Sequence, residues 1–294
     1  MEISVQHPAR RLGAGSAFQS DVAALVGDIR AQLLSGGIAN IAGFPLSKEQ
    51  YFQLAALFGR PMRKHTAEDG GGTDEYIGVV RYEPPAEGDK QPPTKGASAL
   101  PFHTARAYVR VRPSHFFMLM VNGGAPGPAG CRGESQLVRW DNLLQEFRQL
   151  HPEHAEADIK LLSTFPVSYK PDYVKEEASV DPLISSSPSG EITVRYWEYA
   201  FAKLAGSTDI QQRKGGPQFL DALSRFDSVL TAPFCRYETV LTAGQLVVID
   251  NRRIAHGRRG FSPIVSDASG RPTPNPREMW TMHVEERPHV ENVA

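Results

Sequence analysis

The sequence predicts a mainly β protein, a sandwich or barrel with helices packed on its outside. Strand-like stretches dominate after Leu100: HFFMLMVN, ESQLVRW, ITVRYWEY, RYETVL, QLVVID and MWTMHV. Short apolar or alternating runs of this kind suit half-buried strands. Helical periodicity interrupts them only over Asp141 to Leu150 and Pro217 to about Leu230. No internal repeat or linker divides the chain, so residues 1–294 are expected to form one domain.

The elements follow in order. Val22, Leu25, Val26, Ile29 and Leu33 recur at helical spacing, with Ser20 available as cap and Gly36-Gly37 as stop. GIANIAGF predicts a short strand. Ser47-Lys48-Glu49-Gln50 is a capping-box pattern opening a helix that carries Tyr51, Leu54, Leu57 and Phe58 and stops at Gly59 and Pro61. From Met62 to Ala99 the chain turns rich in Gly, Pro and charge, with one strand-like island, Tyr76 to Arg81. Long loops of this composition are lids, binding loops or surface segments, and 62–99 is the candidate lid.

Composition excludes several functions. Acids (33) and bases (32) nearly cancel, so no global field selects a nucleic-acid polymer or a membrane surface. No apolar run is long enough to span a bilayer, and the N-terminal stretch MEISVQHPARRLGAG lacks an apolar core. Two cysteines, Cys131 and Cys235, lack zinc-motif spacing, and a reducing cytoplasmic location is the expectation, with one bridge left open.

Two stretches carry chemistry. LPFHTARAY presents His103 at the end of a strand-like run, and LVVIDNRRIAHGRRGF presents His256 just past another. Two neutral imidazoles brought together by a fold suit Fe(II), and a carboxylate beside them would complete the facial triad of non-heme iron oxygenases. The position that would supply it, two residues after His103, is Ala105. A lone histidine is more often a surface or hydrogen-bonded residue, so spacing alone leaves the pair open.

The chain resembles the clavaminate synthase-like, or taurine dioxygenase-like, branch of the Fe(II)/2-oxoglutarate-dependent oxygenases. The likeness runs through GIANIAGFPLS, FGRP, LPFHT, RGESQLVRWDNLLQEF and LTAGQLVVIDNRRIAHGRRGF. It implies a double-stranded β-helix, the jelly roll of cupin-like proteins, and Fe(II), 2-oxoglutarate and O2 as cofactors and co-substrates. His103 and His256 match the metal-binding imidazoles, and Ser135 the hydroxyl offered to 2-oxoglutarate. Arg277 matches the guanidinium for the far carboxylate, with Arg271 as alternative. Arg277 lies further from His256 than the family places it, so an insertion in SPIVSDASGRPTPNP is implied. The family's second arginine, four residues on, is Thr281 here.

The gap at Ala105 resembles that of the superfamily's radical halogenases, which carry Ala or Gly there and bind a halide instead of a carboxylate. The implied activity is chlorination of an unactivated C–H in a small polar metabolite, with chloride as a further ligand. Two alternatives stay open: hydroxylation or desaturation at a two-His iron site, and ligand binding without turnover. Asp250 is read as a strand-end structural residue. Candidate substrate residues are Arg195, Tyr196 and Trp197, on a strand that lines the cavity in relatives. Arg106, Arg110, Arg112, Arg258 and Arg259 flank the two histidines and would suit an anion if several faced the site. A free amino acid and a nucleotide such as deoxyadenosine monophosphate are the substrate classes expected; a carrier-tethered substrate has no exposed apolar docking surface to support it.

Overall fold

Strand His115–Asn122 sorts its residues by parity. Phe117 and Leu119 turn to one side and join a cluster with Leu246, Val248, Trp280, Met282 and Val284. Phe116, Met118 and Met120 turn to the other and join Leu137, Val247, Ile249, Ile254 and Met279. Period-two burial on both faces requires a covered sheet. The computed structural model shows how each face is covered. It describes residues 10–11, 17–64, 73–85, 95–125, 127–170, 174, 176–187, 190–197, 199–230 and 237–286, with side chains from residue 22 onward.

The larger sheet runs, edge to edge, through strands Arg10–Arg11, Ile38–Ala42, Leu246–Asp250, His115–Asn122, Glu278–Glu285 and Arg60–Pro61; Gly78–Arg81 also pairs with Glu278–Glu285. All its pairings are antiparallel except the first. The smaller sheet is antiparallel, in the order Tyr237–Thr239, Ser135–Arg139, Ile254–Arg258, Leu100–His103. A shared cluster with residues of both sheets fills the space between them. Helices Ala17–Gly36 and Lys48–Ala56 cover the outer face of the larger sheet through Leu25, Ile29, Leu33, Tyr51 and Leu54. Helices Trp140–Leu150, Ala155–Thr164 and Gly216–Leu230 cover the smaller sheet through Phe147, Leu162, Phe219 and Phe226, against Val138 and Ala255.

Local sequence explains the element ends. Ser47 caps its helix by accepting from the Gln50 amide at 3.3 Å, as the capping box predicts. The first helix begins before Ser20, which therefore lies inside it. It stops at Gly37, whose left-handed φ of 77° lets its amide reach the Leu33 carbonyl at 2.8 Å.

The mainly β expectation is corrected to a mixed helix/β protein with antiparallel sheets: helices and strands contribute comparable lengths. Helices Ala155–Thr164, Ala200–Ala205 and Thr208–Gln212 were not anticipated. ITVRYWEY is strand only over Ile192–Val194. Of the candidate lid, 62–64, 73–85 and 95–99 are described. Its limbs are tied down by Met62 donating to the His283 carbonyl, by the Arg63–Glu75 ion pair and by pairing of Gly78–Arg81. The rest of the candidate lid, and Cys235, lie outside the described residues; Cys131 is an exposed free thiol. No described helix is long and apolar enough to cross a membrane.

Candidate metal and anion site

His103 and His256 come together as direct partners in the antiparallel register of the smaller sheet. Their ring centroids are 4.2 Å apart. The glycine after His256 permits this: a Cβ on Gly257 would stand 2.8 Å from the Leu100 carbonyl oxygen and 3.3 Å from the Pro101 carbonyl carbon. His103 Nδ1 sits 2.9 Å from the Pro101 carbonyl, to which it donates, and this bond orients the ring. His256 is buried, and its Nδ1 has no hydrogen-bond partner. Burial, then the neighbouring His103 and His283, hold its pKa well below the ordinary imidazole value. A buried, neutral imidazole with an orphaned nitrogen, facing a second oriented by the Pro101 carbonyl, fits a divalent metal.

The turn after His103 is clamped from two sides. Thr104 donates its amide to the Tyr196 carbonyl and its hydroxyl to the Val194 carbonyl, both at 2.8 Å. Asn251 accepts from the Ala105 amide at 2.9 Å and donates to the carbonyls of Ala105 (3.1 Å) and Pro113 (3.0 Å). Ala105 is buried, and its methyl belongs to the inter-sheet cluster. Among the described residues, no group of three His, Cys, Asp or Glu side chains could hold a metal ion. Asp250 ends its strand and accepts from the Arg252 amide at 3.0 Å and side chain at 3.3 Å. Phe116 packs on His256 (4.7 Å between centroids) and His283 stacks on Phe116 (5.0 Å).

Two buried arginines, Arg258 and Arg277, lie against the ring of Phe261, with Arg258 on the strand of His256. Ser135 is buried at the start of its strand, opposite Arg258 in register. Arg277 is 2% exposed; its Nη2 donates to the Gly133 carbonyl at 3.1 Å and its Nη1 has no partner. Gly133 must be glycine: its φ is 70°, and a Cβ would meet Arg277 Nε at 2.8 Å. Between His256 and Arg277 the chain forms a hairpin, Ile264–Ser266 with Pro272–Pro274. Arg271 is exposed on that hairpin, with its amide on Asp267.

The substrate candidates are placed differently from expectation. Arg195 is 1% exposed and donates to the backbone carbonyls of Pro182, Ala107, Val167 and Asp181. Tyr196 is buried among the helices and donates to Asp227. Trp197 packs on Tyr108 and Tyr199. Arg195 and Tyr196 thus brace the scaffold, because the chain leaves its strand at Val194 to bond Thr104. Four of the five flanking arginines are paired with carboxylates: Arg106 with Glu176, Arg110 with Glu177, Arg112 with Asp181 and Arg259 with Glu238. Arg258 forms no ion pair among the described residues.

The chain belongs to the taurine catabolism dioxygenase TauD, TfdA family, whose model matches residues 8–283. No curated protein matches it. An asparagine oxygenase solved with Fe(II), 2S,3S-3-hydroxyasparagine and succinate is 18% identical over 92% of this chain and 81% of its own, with a TM-score of 0.61. The non-heme iron oxygenase OrfP with Fe, succinate and (3S)-hydroxy-L-Arg is 17% identical over 95% of both chains, with a TM-score of 0.61. PvcB from Pseudomonas aeruginosa is 16% identical over 94% of this chain and 86% of its own, with a TM-score of 0.57.

Proposed function

We propose that this protein is a single-domain Fe(II)/2-oxoglutarate-dependent halogenase of jelly-roll, double-stranded β-helix architecture. The observation that carries the reading is the buried methyl of Ala105, whose amide and carbonyl are both held by Asn251, next to the paired imidazoles. A carboxylate there would complete the metal's protein ligands; a methyl leaves room for a halide, which a carboxylate would repel. His103 and His256 would hold the iron. Ser135 and Arg277 would hold 2-oxoglutarate, a planar guanidinium suiting its far carboxylate. Bound iron and 2-oxoglutarate supply the oxidising power to activate O2 and break an unactivated C–H bond. The protein's part is to keep the His256 imidazole neutral, orient His103 through Pro101, and hold the turn through Asn251 and Thr104.

The substrate is read as a small polar metabolite, with a free amino acid favoured. Likeness to the asparagine oxygenase and OrfP supports that class. The nucleotide reading loses support because most of the arginines that would bind a phosphate are paired with carboxylates. Hydroxylation at the same site is the second reading, favoured by the hydroxylated amino acids bound in those two structures. Incubating the Fe(II)-loaded enzyme with 2-oxoglutarate, chloride and single amino acids, with mass spectrometry of products, separates them. A product with the chlorine isotope pattern is expected. Hydroxylated product alone, across all chloride concentrations, would favour the second reading.

A further inference from the structure

Arg258 is a buried cation without a counter-ion in the described structure. Its side chain is almost fully enclosed (5% exposed), and no carboxylate is paired with it. Its Nη2 donates to the carbonyls of Gly96 at 2.8 Å and Ser98 at 2.7 Å, while its Nε has no partner. Its guanidinium carbon lies 5.0 Å from the centre of the Phe261 ring, and that of Arg277 lies 5.4 Å from the same ring. Two guanidinium groups therefore share one aromatic neighbour next to Ser135.

Among the described residues, the charge balance around Phe261 is incomplete. Glu134 is the carboxylate that favours the charged form of Arg277, and it already accepts from the Gly130 amide, the Arg132 amide and Arg132 Nε. Two buried cations face one carboxylate that a third arginine also engages. A guanidinium stays protonated in folded proteins, so both buried side chains carry a positive charge. Enclosing an unmatched positive charge is strongly unfavourable unless an anion joins it. An added carboxylate would offset part of this excess positive charge.

We infer that Arg258 is a second binding residue for the far carboxylate of a 2-oxo dicarboxylic acid, forming with Arg277 a two-guanidinium clasp over Phe261. The inference rests on the co-substrate reading proposed above and adds a residue to it. The bonds to Gly96 and Ser98 fix the orientation of the Arg258 fork and leave the Nε edge for the ligand.

The test compares two ligands on one protein, so a change in fold stability cancels. 2-Oxoglutarate and 2-oxopentanoate, the same chain without the far carboxylate, are titrated into the anaerobic Fe(II)-loaded protein by calorimetry. The wild type should prefer the dicarboxylate strongly. Arg258→Gln should shrink that preference by about tenfold or more, the share of a charge-assisted hydrogen bond. Arg258→Lys, which keeps the charge without the fork, should fall between and serves if the Gln variant does not fold. An unchanged preference in Arg258→Gln or Arg258→Lys, with loss in Arg277→Gln, would reduce Arg258 to a tether for Gly96 and Ser98 and overturn the inference. No preference in the wild type, or full preference in Arg277→Gln, would sink the co-substrate reading and this inference together.

Discussion

Asn251 serves three buried backbone groups at once: the amide and carbonyl of Ala105 and the carbonyl of Pro113. Asn251→Ala leaves all three without that partner, at about 1–3 kcal/mol for each group left unmatched. The expected loss in urea denaturation is about 3 kcal/mol or more, and a loss under about 1 kcal/mol would show that the turn holds without it. Asn251→Asp keeps the acceptor for the Ala105 amide but faces two carbonyls with a carboxylate, so it should be no better than alanine. The pairing of His103 with His256 was suggested by the sequence because each follows an apolar strand-like run. Asn251 was not singled out, since an asparagine after a strand signals an ordinary turn; only the pairing of 251 with 105 reveals its task. Arg195 was misread for a related reason: a buried arginine answering four backbone carbonyls looks, in sequence, like one facing a ligand.

The two histidine strands meet only because Gly257 lets the backbone of Leu100 and Pro101 lie close. Gly257→Ala forces these strands apart, since the clash is with backbone atoms that have no rotamer to give. Overpacking of this kind costs about 1–3 kcal/mol. Metal affinity should fall by about tenfold or more, read by calorimetry with Fe(II) under anaerobic conditions; wild-type affinity would mean that the imidazoles do not depend on this register. Central strands and capped helices were legible because their burial follows one period. Pro272–Pro274 was not, because two prolines in three residues argue against a strand; it pairs only with Ile264–Ser266 in a hairpin whose other edge needs no donors. Helix Ala155–Thr164 buries Ala155, Asp158 and Leu162, and the buried Asp158 is neutralised by Arg225 from helix Gly216–Leu230. That long-range pairing has no local signature.

For the whole molecule, the depressed imidazoles link stability to pH. Burial holds His256 and His115 below the ordinary value of 6.5, so near and below that pH the unfolded chain binds protons that the folded chain refuses. The metal-free protein should keep its full stability above about pH 6.5 and lose it as pH falls toward 5, seen as a falling urea midpoint. His115→Gln should flatten part of that fall; an unchanged slope would mean that His115 is not enclosed in the folded state. The overall fold was legible as two β layers with outer helices, while the weight of helix was not: the cluster behind the smaller sheet draws on residues from 102 to 255, and only tertiary packing assembles it.

The halide site at Ala105 is tested most directly by anaerobic titration of chloride into the Fe(II) and 2-oxoglutarate complex, following its visible charge-transfer band. The wild type should show a band that shifts saturably with chloride, and Ala105→Asp a band that ignores it. A wild-type band indifferent to chloride would contradict the halogenase reading, and no band at all would contradict the iron and 2-oxoglutarate site itself.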